Sequence, residues 1–158
     1  MKLLFVHQDM PGQFKHLAPA LARMPGNQVV FLTKRTDAAL PHVNRLTYAA
    51  PRAASPDTHH YIRLYEDAVL HGQQAARLCL QLKSNDFIPD VVIAHPGWGE
   101  ALFIKDIFPK TRVLSYCEFY YQGIGSDIGF DPESPSSLDT ICQARARNAH
   151  LLLSLELC

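Results

Sequence analysis

Met1-Lys2-Leu3-Leu4-Phe5-Val6-His7-Gln8-Asp9-Met10-Pro11-Gly12-Gln13-Phe14-Lys15 opens the chain. Its apolar run, Leu3 to Val6, does not alternate with polar residues. That suits a strand buried on both faces of a parallel sheet. The run turns polar at His7-Gln8-Asp9, breaks at Pro11-Gly12 and passes into a helical pattern. Strand, glycine-bearing turn and helix make the first unit of an open α/β sheet. Ligands of such sheets lie in the crevice beyond the strands' carboxyl ends, so this turn is predicted to stand at the functional edge. A second stretch, Ala94-His95-Pro96-Gly97-Trp98-Gly99-Glu100, is predicted to face it.

Outward from this stretch the pattern repeats. Phe14, Leu17, Ala18 and Leu21 fall on one helical face over Gln13 to Met24, with Pro19 predicting a kink. Gln28 to Thr33 reads as strand two, Lys34 to Arg45 as a loop and Leu46 to Ala49 as a short strand three. Pro51 to Pro56 is a linker. The longest helix is predicted from Asp57 to Lys83, with Ile62, Tyr65, Val69, Gly72, Ala76 and Cys79 as its core stripe. Asp90 to Ala94 reads as strand four. A helix then runs from Gly97–Gly99 to Ile107, and strand five is Arg112 to Tyr116. Cys117 to Pro135 is a long irregular stretch, and such stretches in compact domains are usually functional or mobile. Ser136-Ser137-Leu138-Asp139 resembles a capping box that opens a helix to about Asn148. His150 to Ser154 reads as strand six.

Strands alternating with helices predict an α/β, Rossmann-like three-layer sandwich. Its sheet is mostly parallel, in the order 3-2-1-4-5-6, with helices on both faces. The switch point then falls between strands one and four. The chain ends at Leu155-Glu156-Leu157-Cys158 just after an apolar run. That predicts one half of a two-domain protein, with an exposed sheet edge through which copies could form a homodimer.

At 158 residues one domain is expected, with 47% hydrophobic and 19% charged residues. Fifteen basic residues balance fifteen acidic ones. There is no basic stripe of the kind nucleic-acid binders carry. No apolar run reaches the roughly 20 residues of a membrane span, and Lys2 is followed by too short a run for a signal peptide. The cytoplasm is expected. Cys79, Cys117, Cys142 and Cys158 show no C-x-x-C spacing and are expected to be free thiols. No metal-ligand cluster is visible; His59-His60 reads as a solvated helix end, and His42 and His71 as surface residues.

Three constellations could carry chemistry. The first turn lacks G-x-G-x-x-G and an acidic residue at the end of strand two, so it is no dinucleotide fingerprint. Gly12 and Gln13 stand at a helix N-terminus, where backbone N–H groups favour an anion or a sugar hydroxyl; a plain tight turn fits too. After strand four, Gly97 and Gly99 permit close backbone approach, the Trp98 indole can stack on a sugar ring, and His95 can bond hydroxyl or phosphate. A capping histidine and a core tryptophan would give the same residues. After strand five come Glu118-Phe119-Tyr120-Tyr121, then Gly125-Ser126-Asp127 and Asp131-Pro132-Glu133. Carboxylates beside aromatics suit carbohydrate contacts, and surface loops as well. No G-x-S-x-G elbow, Walker lysine or H-E-x-x-H motif occurs.

Three pieces together resemble the N-terminal domain of a bacterial family-4 glycosyltransferase of the GT-B architecture. They are His7-Gln8 to Gly12-Gln13-Phe14, Ala94 to Glu100, and Glu118 to Tyr121. The resemblance covers essentially residues 1–158. It implies an acceptor-side Rossmann-like domain facing a donor-binding C-terminal domain that this chain lacks, so that the fragment alone is inactive. It implies transfer of a sugar from a nucleotide-sugar co-substrate to a carbohydrate or lipid-linked acceptor, with retained configuration and no required metal or other cofactor. Gly12 matches the first-turn glycine whose backbone approaches donor phosphate or sugar, with Gln13 beside it. His95 matches the histidine that often ends strand four. Many members carry a histidine after strand five, where this chain has Cys117-Glu118. The candidate catalytic groups are therefore His95 and Glu118. The candidate substrate-binding residues are His95, Gly97, Trp98, Glu118 and Tyr120. A standalone α/β module for a small anion or partner, or half of a nucleotide-sugar epimerase, would share the same fold logic.

Overall fold

The computed structural model describes residues 1–126 and 128–156. Five strands form one parallel sheet in the order β3-β2-β1-β4-β5. They are β1 Lys2–Val6, β2 Gln28–Thr33, β3 Asn44–Thr47, β4 Val91–Ala94 and β5 Arg112–Ser115. The predicted α/β, Rossmann-like class is the observed one, and so is the order of the first five strands. The helices are α1 Leu17–Ala22, α2 Arg63–Ser84, α3 Ile104–Ile107, α4 Leu138–Arg147 and α5 Ala149–Glu156.

Alternate residues of β1 feed two cores because successive side chains of a strand point to opposite faces. Leu4 and Val6 join Ala75 and Cys79 of α2 and Ile104 of α3 on one face. Leu3 and Phe5 join Met10, Phe14 and Ala18 on the other. Both faces of the central strands are covered, which is why their sequences do not alternate.

The predicted sixth strand is a helix. No glycine or proline falls between Ser137 and Glu156, so nothing interrupts helical propagation except a break at Asn148. His150, Leu151 and Ser154 are buried at i, i+1 and i+4, a helical stripe rather than a strand face. A short segment built on Leu151, Leu152 and Leu153 fits either element, and here it packs on α2 and the turn after β4. With that strand gone, the edges of the sheet are β3 and β5, and the self-association edge expected at the chain end does not exist. Leu157 and Cys158 lie outside the described residues, as does Asp127.

Other boundaries move for local reasons. Gly12–Phe14 is a single 3₁₀ turn, and α1 begins only at Leu17. Pro19 then occupies the first turn of α1, where its missing N–H costs nothing. Leu17, expected inside, is exposed. The core stripe of α2 is Ala68, Gly72, Ala75 and Cys79; the predicted Gly72 and Cys79 are in it, Ala68 and Ala75 stand in place of Val69 and Ala76, and Ile62 is exposed. After β4 only a 3₁₀ turn, Pro96–Trp98, follows directly. Gly99, at φ +96°, ends it, and a Cβ there would come within 2.2 Å of the Ala68 carbonyl. The cap of α4 is Ser137, whose hydroxyl accepts from Thr140 N at 3.1 Å. Asp139 instead accepts from Tyr61 Oη at 2.8 Å.

Candidate functional site

Register brings the two predicted walls together. Val6 pairs with Ala94 and Ala94 with Ser115 across the sheet. The ladder continues one step past the strands, because His7 N donates to Leu32 O, His95 N to Val6 O and Tyr116 N to Ala94 O. His7 and His95 therefore stand side by side at the carboxyl ends of β1 and β4. Their ring centroids are 4.9 Å apart, and the Trp98 ring lies 5.1 Å from one and 4.8 Å from the other.

Each imidazole is held by the backbone two residues on. Asp9 N donates to His7 Nδ1 at 2.9 Å, and Gly97 N to His95 Nδ1 at 3.1 Å. With Nδ1 an acceptor in both, Nε2 carries the proton. His7 Nε2 donates to Gln13 Oε1. That fixes the Gln13 amide, whose Nε2 donates to Glu118 Oε2 at 2.7 Å. His95 Nε2 donates to the same oxygen at 3.1 Å. Burial holds both imidazoles below the ordinary histidine pKa, against the raising effect of their bonds to Gln13 and Glu118 respectively. They are neutral donors near pH 7.

Glu118 is thus a carboxylate seated by two donors on one oxygen. Its side chain is 40% exposed, whereas that of His95 is only 4% exposed. Oε1 accepts no protein hydrogen bond among the described residues. A cavity of about 120 Å³ adjoins the residue, walled by His95, Trp98, Glu118, Phe119, Tyr121 and Leu151. Such an arrangement can accept a hydrogen bond from a hydroxyl and present aromatic faces to a ring.

The glycines serve the histidines. Gly12 has φ +47°, and a Cβ on it would lie 2.3 Å from His7 Nε2; one on Gly97 would lie 2.6 Å from His95 Cε1. The first turn is also pinned from β2. Buried Thr33 accepts from Met10 N and donates to Gln8 O, at 3.1 and 2.7 Å.

The predicted residues divide accordingly. His95, Gly97, Trp98, Glu118, Gly12 and Gln13 come together. Tyr120 does not: it lines a separate cavity with Gly123, Ile141 and Arg145, and Tyr121 takes the place expected of it. Asp131 only closes a surface turn, accepting from Glu133 N at 2.9 Å. His71, expected at the surface, is half-buried and borders a cavity with Gln8 and Trp98. Sequence reasoning also missed His7 as a member of the cluster, although its place one residue past the first strand was a usable signal. It missed Glu100, which is fully buried and accepts from Tyr48 Oη. Burial pushes the Glu100 carboxyl up to about 7. Among the described cysteines Cys79, Cys117 and Cys142 are free thiols. Among the described residues no cluster of three His, Cys, Asp or Glu could hold a metal ion, and no helix is long and apolar enough to cross a membrane.

The fold is a doubly wound α/β domain with a crevice beyond the carboxyl ends of β1, β4 and β5, the place where open α/β sheets generally bind ligands. The family model described as the glycosyl transferase family 4 group matches residues 25–158, and the chain belongs to that family. The first turn precedes the matched span. No curated protein matches the chain.

Proposed function

We propose that this domain is the acceptor-side half of a retaining glycosyltransferase. It would move a sugar from a nucleotide-sugar donor to a hydroxyl of a carbohydrate or lipid-linked acceptor, in the cytoplasm. A C-terminal domain outside these residues would hold most of the donor, so the 158 residues alone are inactive. No metal or further cofactor enters the scheme.

The observation that supports this reading is the Glu118 carboxylate, seated through one oxygen by Gln13 and His95 and bordering a cavity beside Trp98. In the reaction the bond between the donor's anomeric carbon and the leaving phosphate oxygen breaks. The bond from that carbon to the acceptor oxygen forms, and the hydroxyl proton passes to the leaving phosphate. Glu118 would accept a hydrogen bond from a neighbouring hydroxyl of the acceptor and so position the attacking one, whose own hydrogen is directed to the leaving phosphate. Because Gln13 and His95 hold the carboxylate beforehand, little ordering is left to the moment of reaction. In this scheme the backbone of the first turn, at Gly12 and Gln13, would approach the donor phosphate or sugar across the cleft. In this scheme Glu118 would do the positioning that the family resemblance implies for a histidine after strand five, or else the site differs there.

The test uses the full-length protein and a nucleotide-sugar panel. His95→Ala and Glu118→Ala are each expected to lower kcat/KM by about tenfold or more, the scale of a lost positioning group. Rates within about twofold for both variants would remove this assignment.

A further inference from the structure

His95 and Glu118 belong to different loops, one after β4 and one after β5, yet a 3.1 Å bond joins them. The strands decide only where those loops begin, and the last ladder bond beside β5 is that of Tyr116 N. Beyond it, among the described residues, the backbone of residues 117–123 is hydrogen-bonded by one side chain alone, that of Asn148. Tyr121 N donates to Asn148 Oδ1, and Asn148 Nδ2 donates to Tyr121 O, each at 2.8 Å. Asn148 stands at the break between α4 and α5 and is 2% exposed. Two bonds to one amide fix a backbone residue in place and direction, and in a buried setting neither is readily handed to water. The packing agrees. The Arg147 guanidinium lies 5.7 Å over the Tyr121 ring, and a Cβ on Gly123 would meet Ile141 of α4 at 2.7 Å.

Two residues on, His150 holds the other loop. It is 5% exposed, and its Nε2 donates to Gly97 O at 2.9 Å. Gly97 N is the group that donates to His95 Nδ1. His150 thus seats the residue that selects the His95 tautomer, and with it the proton that His95 Nε2 offers to Glu118. Residues 148–150 therefore touch both loops. The contacts close a circuit, from Asn148 through Tyr121 to Glu118, then to His95, Gly97 and His150.

We propose that Asn148 and His150 are positioning residues of the crevice: the break between α4 and α5 is a common anchor that holds Glu118, through Tyr121, against His95, through Gly97. The anchor stands on these bonds; its effect on sugar transfer rests on the transferase reading.

NMR of the full-length protein with isotope-labelled histidines reads the anchor without any substrate. Asn148→Ala is expected to release Glu118, so that the His95 pKa falls toward its value in Glu118→Gln. His150→Leu is expected to release Gly97, so that the His95 ring nitrogens report a mixture of tautomers instead of the Nε2–H form. His150→Gln keeps a donor at the place of Nε2 and should restore the wild-type tautomer. Ala144→Gly weakens α4 from its buried side without touching either bond, and should leave both signals as they are. In transfer assays Asn148→Ala and His150→Leu should each lower kcat/KM about tenfold, with His150→Gln recovering most of it.

The proposal is overturned if folded Asn148→Ala and His150→Leu leave the His95 signals unchanged. It is overturned too if Ala144→Gly moves them as far, since the junction would then be a general support of the fold. Should Asn148→Ala fail to fold, the His150 pair decides, and a His150→Gln protein that behaves like His150→Leu overturns the anchor. Transfer assays separate the two readings. Signals that move as expected in a protein with no transfer activity support the anchor and remove the transferase. Signals that move while both variants transfer at the wild-type rate support the anchor and remove Glu118 from the reaction.

Discussion

The turns after β1 and β4 are built alike as far as the imidazole and differ beyond it. Each begins with a histidine one residue past its strand. In each, Nδ1 accepts from the N–H two residues on, Nε2 points outward as a donor, and a glycine packs against the ring. Beyond the ring, His95 reaches Glu118 directly, while His7 reaches it only through Gln13. One turn presents the carboxylate and the other braces it. The two also achieve their compactness differently: Gly12 is in the left-handed region, whereas Gly97 is not.

That backbone difference carries the largest expected effect. At Gly12 an alanine must adopt a positive φ and also press its Cβ into a buried imidazole boxed by Phe14, His95 and Trp98. Strain and overpacking together should cost about 2–5 kcal/mol. At Gly97 only the overpacking applies, about 1–3 kcal/mol. Urea unfolding of Gly12→Ala and Gly97→Ala measures both. Equal costs, or a costlier Gly97→Ala, would mean that the left-handed turn is not what distinguishes the two.

The second turn also runs on into Glu100, and the first has no such acid. Folded Glu100 keeps its proton up to about pH 7, because burial raises its pKa above the ordinary glutamate value of 4.5. The unfolded chain releases that proton near 4.5. Between these values the folded state binds more protons, so this group lowers stability as pH rises, by on the order of 3 kcal/mol in full. Buried histidines act in the opposite direction at acid pH, since they are neutral when folded and charged when unfolded. The difference between Glu100→Gln and wild type isolates the carboxyl. The variant should gain on the wild type from about pH 4.5 to 7 and hold that gain above. A difference that does not vary with pH would show that Glu100 ionises in the folded protein as it does in water.

The sequence made the first five strands, their order and the switch point legible, because a buried parallel strand must be a continuous apolar run and βαβ crossovers have one hand. His95, Trp98 and Glu118 followed from standing just past strand ends. What was not legible depends on register and loop path. Gln13 and Glu118 are 105 residues apart, and no local pattern announces their bond. Tyr48 and Glu100 meet across 52 residues by the same kind of accident of packing. His150 was hidden by the choice of strand over helix: on a strand it would not have turned toward Gly97. Tyr120 and Tyr121 were interchangeable on paper, and the path of an irregular loop decided between them.

The smallest effects are the most direct reading of the relay. Glu118 raises the pKa of His95 by its hydrogen bond and its charge, and that of His7 only weakly, by charge alone. Gln13 raises that of His7 by its hydrogen bond. Glu118→Gln should therefore lower the His95 pKa further below the ordinary value and move His7 less. Gln13→Leu should lower His7 and leave His95 in place. Titration of the imidazole signals by NMR in the two variants follows both rings at once. If Gln13→Leu moves both histidines equally, the turns are coupled by general packing and the relay through Gln13 has no separate electrostatic identity. If Glu118→Gln moves neither, the carboxylate is not held by these bonds in solution, and the distinction between a presenting and a bracing turn is lost.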